Sequence, residues 1–341
     1  MMETLLSQAP SWQNLLIYIL LGAVLLLIVL GFVTYAILAE RKVVGYIQLR
    51  YGPNQVGGRF GLLQTAADVA KLLMKEDVIP QKADKPLFIL APVLAFVPAF
   101  AVLAVIPFSE SLYFADLGVG LLYYFAVAGI STLGMVTGGW ASNNKYSLLG
   151  AMRTAAQMIS YEVPLIMSVI GVVLLAGSIN LTTIVEGQQT WWYIFIQPLG
   201  FVIFIIAAVA ELGRVPFDLP ESESELVAGY MTEYSGFRWA FFMLAEYVYL
   251  FGTSALTTIL FLGGWQPPLQ FIPGLSFLDA VPGVIWFALK FTAVVFFMIW
   301  LRGTLPRMRA DQLMEFGWKV LLPLALVNLF LTALFIEIFI K

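Results

Sequence analysis

The chain has no cysteine and no histidine in its 341 residues. Without cysteine, disulfides and thiolate-held iron–sulfur clusters are excluded. Without histidine, imidazole-ligated haem and ordinary zinc sites lose their usual ligands. Any electrons this protein helps to use must therefore arrive on another polypeptide, and no haem or iron–sulfur cluster is expected here. No GxGxxG or Walker-type loop occurs, so nucleotides belong elsewhere too. A nucleic-acid partner is not expected. Charge is scarce: 11% of residues are charged, against roughly 25% in soluble domains. No basic stretch precedes the first apolar run, so a cleaved signal peptide is not expected.

What is present is apolar. Hydrophobic residues make up 61% of the chain, and the mean hydropathy is +0.90. A spanning helix needs about 20 apolar residues. Eight segments qualify: 15–39, 87–108, 117–141, 163–180, 191–211, 239–262, 281–301 and 320–340. Pro92, Pro98 and Pro323 fall inside them, which membrane helices tolerate because neighbouring groups satisfy the freed backbone. The expected fold class is all-α: a polytopic membrane protein forming a single transmembrane domain over residues 1–341.

The sparse charges are ordered. Sixteen of the eighteen lysines and arginines fall in alternate loops, between spans one and two, three and four, five and six, and seven and eight. The loops 109–116, 181–190 and 263–280 have none. Cytoplasmic loops are the positive ones. The basic loops are thus expected in the cytoplasm and both termini on the outer, periplasmic side. Between the first two spans, residues 61–75 place Gln64, Asp68, Lys71 and Lys75 at helical spacing. This segment is too short to span and reads as an amphipathic helix at the interface.

Against this background a few acids stand out. Residues 211–225 deliver five carboxylates and one arginine: Glu211, Arg214, Asp218, Glu221, Glu223 and Glu225. Pro216 breaks the preceding helix, and Pro220 followed by acids reads as a new helix start. The simple reading is a solvated acidic cap on a loop spanning 211–238, yet short cytoplasmic loops favour positive residues. Glu162, just before Pro164, reads as a first-turn carboxylate where a helix enters the membrane. Glu246 and Lys290 lie inside spans, where a charge costs about 3 kcal/mol on the insertion scale. Each should face the bundle interior, a partner or water. Glu337, near the outer end of the last span, is expected to snorkel. Closely spaced carboxylates in low dielectric can hold and pass protons. Glu162, Glu211, Glu246, Lys290, Asp218, Glu221, Glu223 and Glu225 are therefore the candidate proton-handling residues. The segment Glu40–Asn54 reads either as a basic stop-transfer flank with a Gly-Pro-Asn turn, or as a rigid loop lining a headgroup pocket and docking a soluble partner.

Several of these stretches resemble a known family. Glu40-Arg41-Lys42 through Arg50-Tyr51-Gly52-Pro53-Asn54 and Lys75-Glu76-Asp77 resemble the first cytoplasmic loop of the H-type (mitochondrial ND1-type) membrane subunits of respiratory complex I. So do Gly138 to Tyr146, Arg153 with Ser160-Tyr161-Glu162, and the stretch from Glu211 through Gly236. Ala245-Glu246-Tyr247, Arg302-Gly303-Thr304-Leu305-Pro306-Arg307, Asp311-Gln312 and Trp318-Lys319 complete the likeness over nearly the whole chain. The resemblance implies a membrane subunit of a proton-translocating NADH:quinone oxidoreductase in the bacterial inner membrane, not catalytic alone. It implies a quinone, bound as substrate in a chamber shared with partner subunits and lined or supported by Glu40, Arg41, Arg50, Asp68, Arg214 and Phe217. It implies soluble quinone-site and iron–sulfur subunits on the cytoplasmic face, small and antiporter-like membrane subunits alongside, and lipid around, with the flavin on those partners and no flavin on this chain. Glu162, Glu211, Glu246 and Lys290 would begin the acidic path.

Two other readings stay open at this point. One is the homologous membrane subunit of a hydrogenase-type or other non-NADH complex with a different donor and acceptor. The other is a free-standing ion antiporter, which the lack of an inverted repeat with paired broken helices disfavours.

Overall fold

The computed structural model describes residues 12–58, 60–220, 223–268 and 281–339. Glu221, Arg59 and most of the loop 263–280 lie outside the described residues. The described residues are helical and hold no strand. We number the helices α1 Trp12–Ile47, α2 Gln64–Met74, α3 Lys85–Ala101, α4 Gly120–Ala141, α5 Lys145–Ala176, α6 Leu181–Glu186 and α7 Tyr193–Ile196. They continue as α8 Pro198–Glu211, α9 Glu223–Leu226, α10 Gly236–Phe261, α11 Gly283–Thr304, α12 Ala310–Glu315 and α13 Leu322–Phe339.

Among the described residues seven helices are long and apolar enough to cross a membrane, and α8 is a shorter apolar helix of 14 residues. The apolar run over 191–211, expected as one span, is broken. Trp192 and Gln197 are non-helical, and Pro198 opens α8 at its first turn, where a missing N–H costs nothing. A helix of that length covers only ~21 Å at 1.5 Å per residue.

Two other expectations shift. α1 runs on to Ile47, so Glu40 and Arg41 lie on helix rather than in a loop. Nothing stops the helix before Leu49 and Gly52, which take positive φ values of 57° and 65°, a region costly for most residues. α5 begins at Lys145 rather than near 163. Its start is set by Asn144, whose side chain accepts from the Tyr146 N–H at 2.9 Å, a standard N-cap. Gly177 ends it at φ 66°. Glu162 therefore sits in mid-helix, with Pro164 inside α5, and is not a first-turn carboxylate.

α10 is the central helix: 83% of its most apolar window is buried, against 11% for α1. α3 and α11 flank α10, α1 packs on α11, and α4 pairs closely with α3. α5 joins α4 to α8 and α13. Small residues permit these approaches. A Cβ on Gly134 of α4 would lie 2.5 Å from the Ala95 nitrogen of α3. The outward faces carry Leu20, Leu27 and Ile28 of α1 and Leu326, Phe330 and Leu331 of α13 in the open. In water such a surface would aggregate; against lipid tails it is at rest. α2 lies against α1 and α10 near the basic loops, and α13 is preceded by a π-helical turn, Phe316–Leu321.

Candidate functional site

Four elements converge near the basic end of the bundle. Glu40 comes from the last turns of α1, Arg214 from the loop after α8, Glu246 from α10 and Arg302 from the last turn of α11. Arg214 Nη1 donates to Glu40 Oε2 at 2.9 Å, and its Nε donates to Glu246 Oε1 at 2.8 Å. Arg302 Nη1 donates to the other oxygen of Glu40. The Arg214 side chain is only 2% exposed, and its guanidinium lies 4.7 Å from the Tyr247 ring centroid. Burial disfavours the Arg214 cation, but the Glu246 and Glu40 carboxylates beside it more than reverse that and raise its pKa above the ordinary arginine value. One donor, Nη2, has no partner among the described residues. Two carboxylates and two guanidinium groups thus form one network, which is how buried charge is sustained at all.

The network separates two spaces. On one side an open cavity of ≈270 Å³ is lined by Glu40, Arg41, Arg50, Gly52, Pro53 and Arg302. On the other a small internal cavity of ≈40 Å³ is lined by Glu211 and Glu246 with Tyr124, Ser131, Thr154 and Tyr249. That volume admits about three waters, and its polar lining suits them. Arg214 bridges a carboxylate facing the first space to one facing the second. Glu162 lies on α5, within electrostatic range of Glu211, and its Oε1 is 3.6 Å from where a Cβ on Gly129 of α4 would stand.

The loop that carries Arg214 is held on several sides. Arg307 Nη2 reaches Asp218 Oδ2 at 2.7 Å, and the Met308 N–H donates to Pro216 O at 3.0 Å. Arg153 Nη1 meets Glu225 Oε2 at 2.5 Å. Gln157 Nε2 donates to Ala210 O at 2.8 Å and to Phe217 O at 2.7 Å. Ser147 Oγ donates to Tyr230 O at 3.0 Å. Gly150 makes room: a Cβ there would lie 2.6 Å from the Gly229 Cα.

Several residues singled out by sequence come together, and others do not. Glu40, Arg214 and Glu246 form the network; Arg41 and Arg50 line the open cavity. Asp68 of α2 pairs with Arg41 at 2.5 Å, a half-exposed contact worth little by itself. Phe217 does not face that cavity. Its ring is buried against Tyr161, with centroids 5.5 Å apart, so it supports the loop from within. Asp218 and Glu225 tie the loop down, Glu223 opens the short helix α9, and Glu221 is outside the described residues.

Lys290 stands apart from the acids. Its Nζ donates to the carbonyls of Leu262 at 2.5 Å, Gly264 at 3.0 Å and Gln266 at 2.7 Å. It also lies 4.2 Å from the Trp192 ring centroid. All three ammonium protons are used, and no carboxylate pairs with it among the described residues. Lys290, expected on the acid path, is held at the far end of α10, where the backbone supplies its acceptors.

Gln157, Tyr247 and the Glu40–Arg302 pair are site features that the sequence reading misses. Gln157 carries a faint signal, one polar residue a single turn before Tyr161 in α5. The pair joins residues 262 positions apart and leaves no local trace.

Comparison with known proteins now bears on this geometry. The family model described as NADH dehydrogenase matches residues 20–333. The H-type subunit of NADH-quinone oxidoreductase from Bacillus cytotoxicus is 70% identical over 339 residues, covering 99% of this chain and 100% of the relative. The proteins of the same name from strains of Bacillus thuringiensis and Bacillus cereus are also 70% identical over 339 residues, with the same coverage.

Proposed function

The chain belongs to the NADH dehydrogenase family of membrane subunits, and from that premise we propose how this subunit of NADH-quinone oxidoreductase works. It forms the wall of a quinone-access chamber and the first stage of a proton path, and it anchors the soluble arm of the complex. Glu40, Arg41, Arg50 and Asp68 line or support the chamber, with Arg214 and Phe217 behind them. Glu246, Glu211 and Glu162, with Asp218, Glu221, Glu223 and Glu225 on the loop, take up and pass protons. Lys290, held by backbone carbonyls at the opposite end of α10, braces that end of the helix. The observation that carries this reading is Arg214, a buried guanidinium shared between Glu40 on the open cavity and Glu246 on the small polar one.

The chemistry follows from that sharing. A proton taken up by Glu246 cancels the charge that holds Arg214 Nε, and the guanidinium then leans toward Glu40. A proton on Glu40 has the opposite effect. Occupancy of the open cavity by a quinone, and the proton demand of its reduction to quinol, are thereby felt at Glu246 without any long movement. The interior acids remain in low dielectric, where such changes count for most.

In the membrane the basic loops face the cytoplasm and α8 completes an eighth crossing, with both termini periplasmic. α2 lies at the interface, and residues 1–341 act as one membrane domain in the bacterial inner membrane. The partners are soluble quinone-site and iron–sulfur subunits below, and small and antiporter-like membrane subunits beside it. A photoreactive quinone added to the intact complex tests the chamber. Labelled peptides are expected within residues 31–75 or 210–235; labelling confined to other segments of this chain would overturn the assignment.

A further inference from the structure

We propose that Gln157 is a positioning residue that sets the shape of the Arg214 loop through two carbonyls, and that turnover depends on that hold. The proposal rests on the reading of Arg214 given above.

The side chain is buried, 2% exposed, on the face of α5 turned toward α8. A primary amide has two N–H protons, and both are committed. One goes to Ala210 O, in the last turn of α8, and the other to Phe217 O, beyond the bend. A single nitrogen therefore ties together two points seven residues apart in sequence, with Arg214 between them. One turn further along α5, Tyr161 packs on the Phe217 ring and donates to Leu313 O at 2.8 Å. Gln157 and Tyr161 thus grip the loop from the same helical face.

The choice of glutamine is informative. Its Oε1 is buried and has no donor among the described residues. A side chain kept only to fill space would be an aliphatic one, which avoids an unsatisfied buried acceptor. The amide cannot be turned over to relieve this, because Oε1 would then face two carbonyl oxygens. The two donors are what the position needs.

Among the described residues no other group performs this function from α5. Ser147 and Gly150 seat the later turn at Tyr230, and Arg153 meets Glu225 at the exposed rim. Arg307 and Met308 hold Asp218 and Pro216 from the opposite side. Without Gln157 the bend between Ala210 and Phe217 loses its two hydrogen bonds to α5 and keeps there only the packing of Tyr161 on the Phe217 ring, and the Arg214 guanidinium loses its fixed approach to Glu246.

The test uses the intact complex carrying Gln157→Leu, together with Leu219→Cys as a reporter. The chain has no native cysteine, and Leu219 is only 4% exposed, so maleimide labelling of this subunit reads opening of the loop. Gln157→Leu is expected to speed labelling about tenfold, as two lost hydrogen bonds would. Quinone-linked turnover, measured in complexes without the reporter, should fall while NADH oxidation by ferricyanide, which takes electrons before this subunit, is unchanged. Gln157→Glu supplies a second variant. Its protonated carboxyl keeps one donor and its ionised form keeps none, so its turnover should recover toward low pH relative to wild type, whereas the Gln157→Leu profile stays parallel to wild type. Unchanged labelling in Gln157→Leu, or a Gln157→Glu profile parallel to wild type, overturns the inference. Faster labelling with unchanged turnover leaves the hold of Gln157 on the loop intact but overturns the dependence of turnover on it, and with it the role given to Arg214.

Discussion

Two buried cations lie near opposite ends of the central helix, and they are sustained in different ways. Arg214 is held by side-chain carboxylates, Glu40 and Glu246, each reached from a different cavity. Lys290 is held by the carbonyls of Leu262, Gly264 and Gln266 and by the face of Trp192. Carboxylates can be protonated, so the field at Arg214 can change in strength and direction. Carbonyls cannot, so the groups that hold Lys290 keep the same charge. Both solutions satisfy a charge in low dielectric, but only around the first can the partners themselves change charge. Buried charge is therefore not by itself a mark of function; the chemistry of its partners decides.

Replacement of each cation should separate the two regions, and the largest effect belongs to Arg214→Met. Removing one partner of a buried ionic network costs about 3–5 kcal/mol because the other charges are stranded. Quinone-linked turnover should be abolished and the amount of assembled complex reduced, as native gels and activity in isolated membranes would show. Wild-type activity in that variant would erase the distinction between the two sites.

Lys290→Met comes next. It strands three carbonyls at the end of α10, each an acceptor that loses its donor at a cost of about 1–3 kcal/mol. Assembled complex should become scarcer or less heat-stable, while turnover per assembled complex stays near wild type. A lowered turnover in fully assembled Lys290→Met complex would place the lysine back on the proton path.

Arg41→Ala should have the smallest effect. Its pair with Asp68 is half-exposed, and such pairs contribute about 0–1 kcal/mol. A rise in the KM for quinone with little change in kcat or stability is expected from its place on the open cavity. A large loss of assembly would show that the α1–α2 contact carries more than its exposure suggests.

Much of this was legible in the sequence, and the unreadable parts share a physical cause. The alternation of basic loops located both ends of the bundle, since insertion leaves its record in composition. The cluster from Glu211 to Glu225 was conspicuous because it reverses that pattern. Glu246 was readable because a lone carboxylate in an apolar run has to face inward. The length of α1 and the early start of α5 were obscured because hydropathy reports only the lipid-length part of a helix, whereas Asn144 caps the start of α5 and the left-handed turn at Leu49 closes α1. The break before Pro198 was hidden inside an apolar run. The partners of Lys290 were not readable because they are backbone atoms, which have no letter in a sequence. Arg302 was noted, but its pairing with Glu40 was not, since nothing local connects positions so far apart.

The central claim is that Glu246 titrates in step with quinone chemistry through Arg214. The most direct measurement is proton pumping per NADH oxidised, and its absolute rate, in proteoliposomes carrying the complex with Glu246→Gln. The amide keeps an oxygen for Arg214 Nε but carries no charge to lose. Assembly and ferricyanide activity should match wild type, while quinone-linked turnover and pumping fall sharply. Wild-type pumping by that variant would contradict the account.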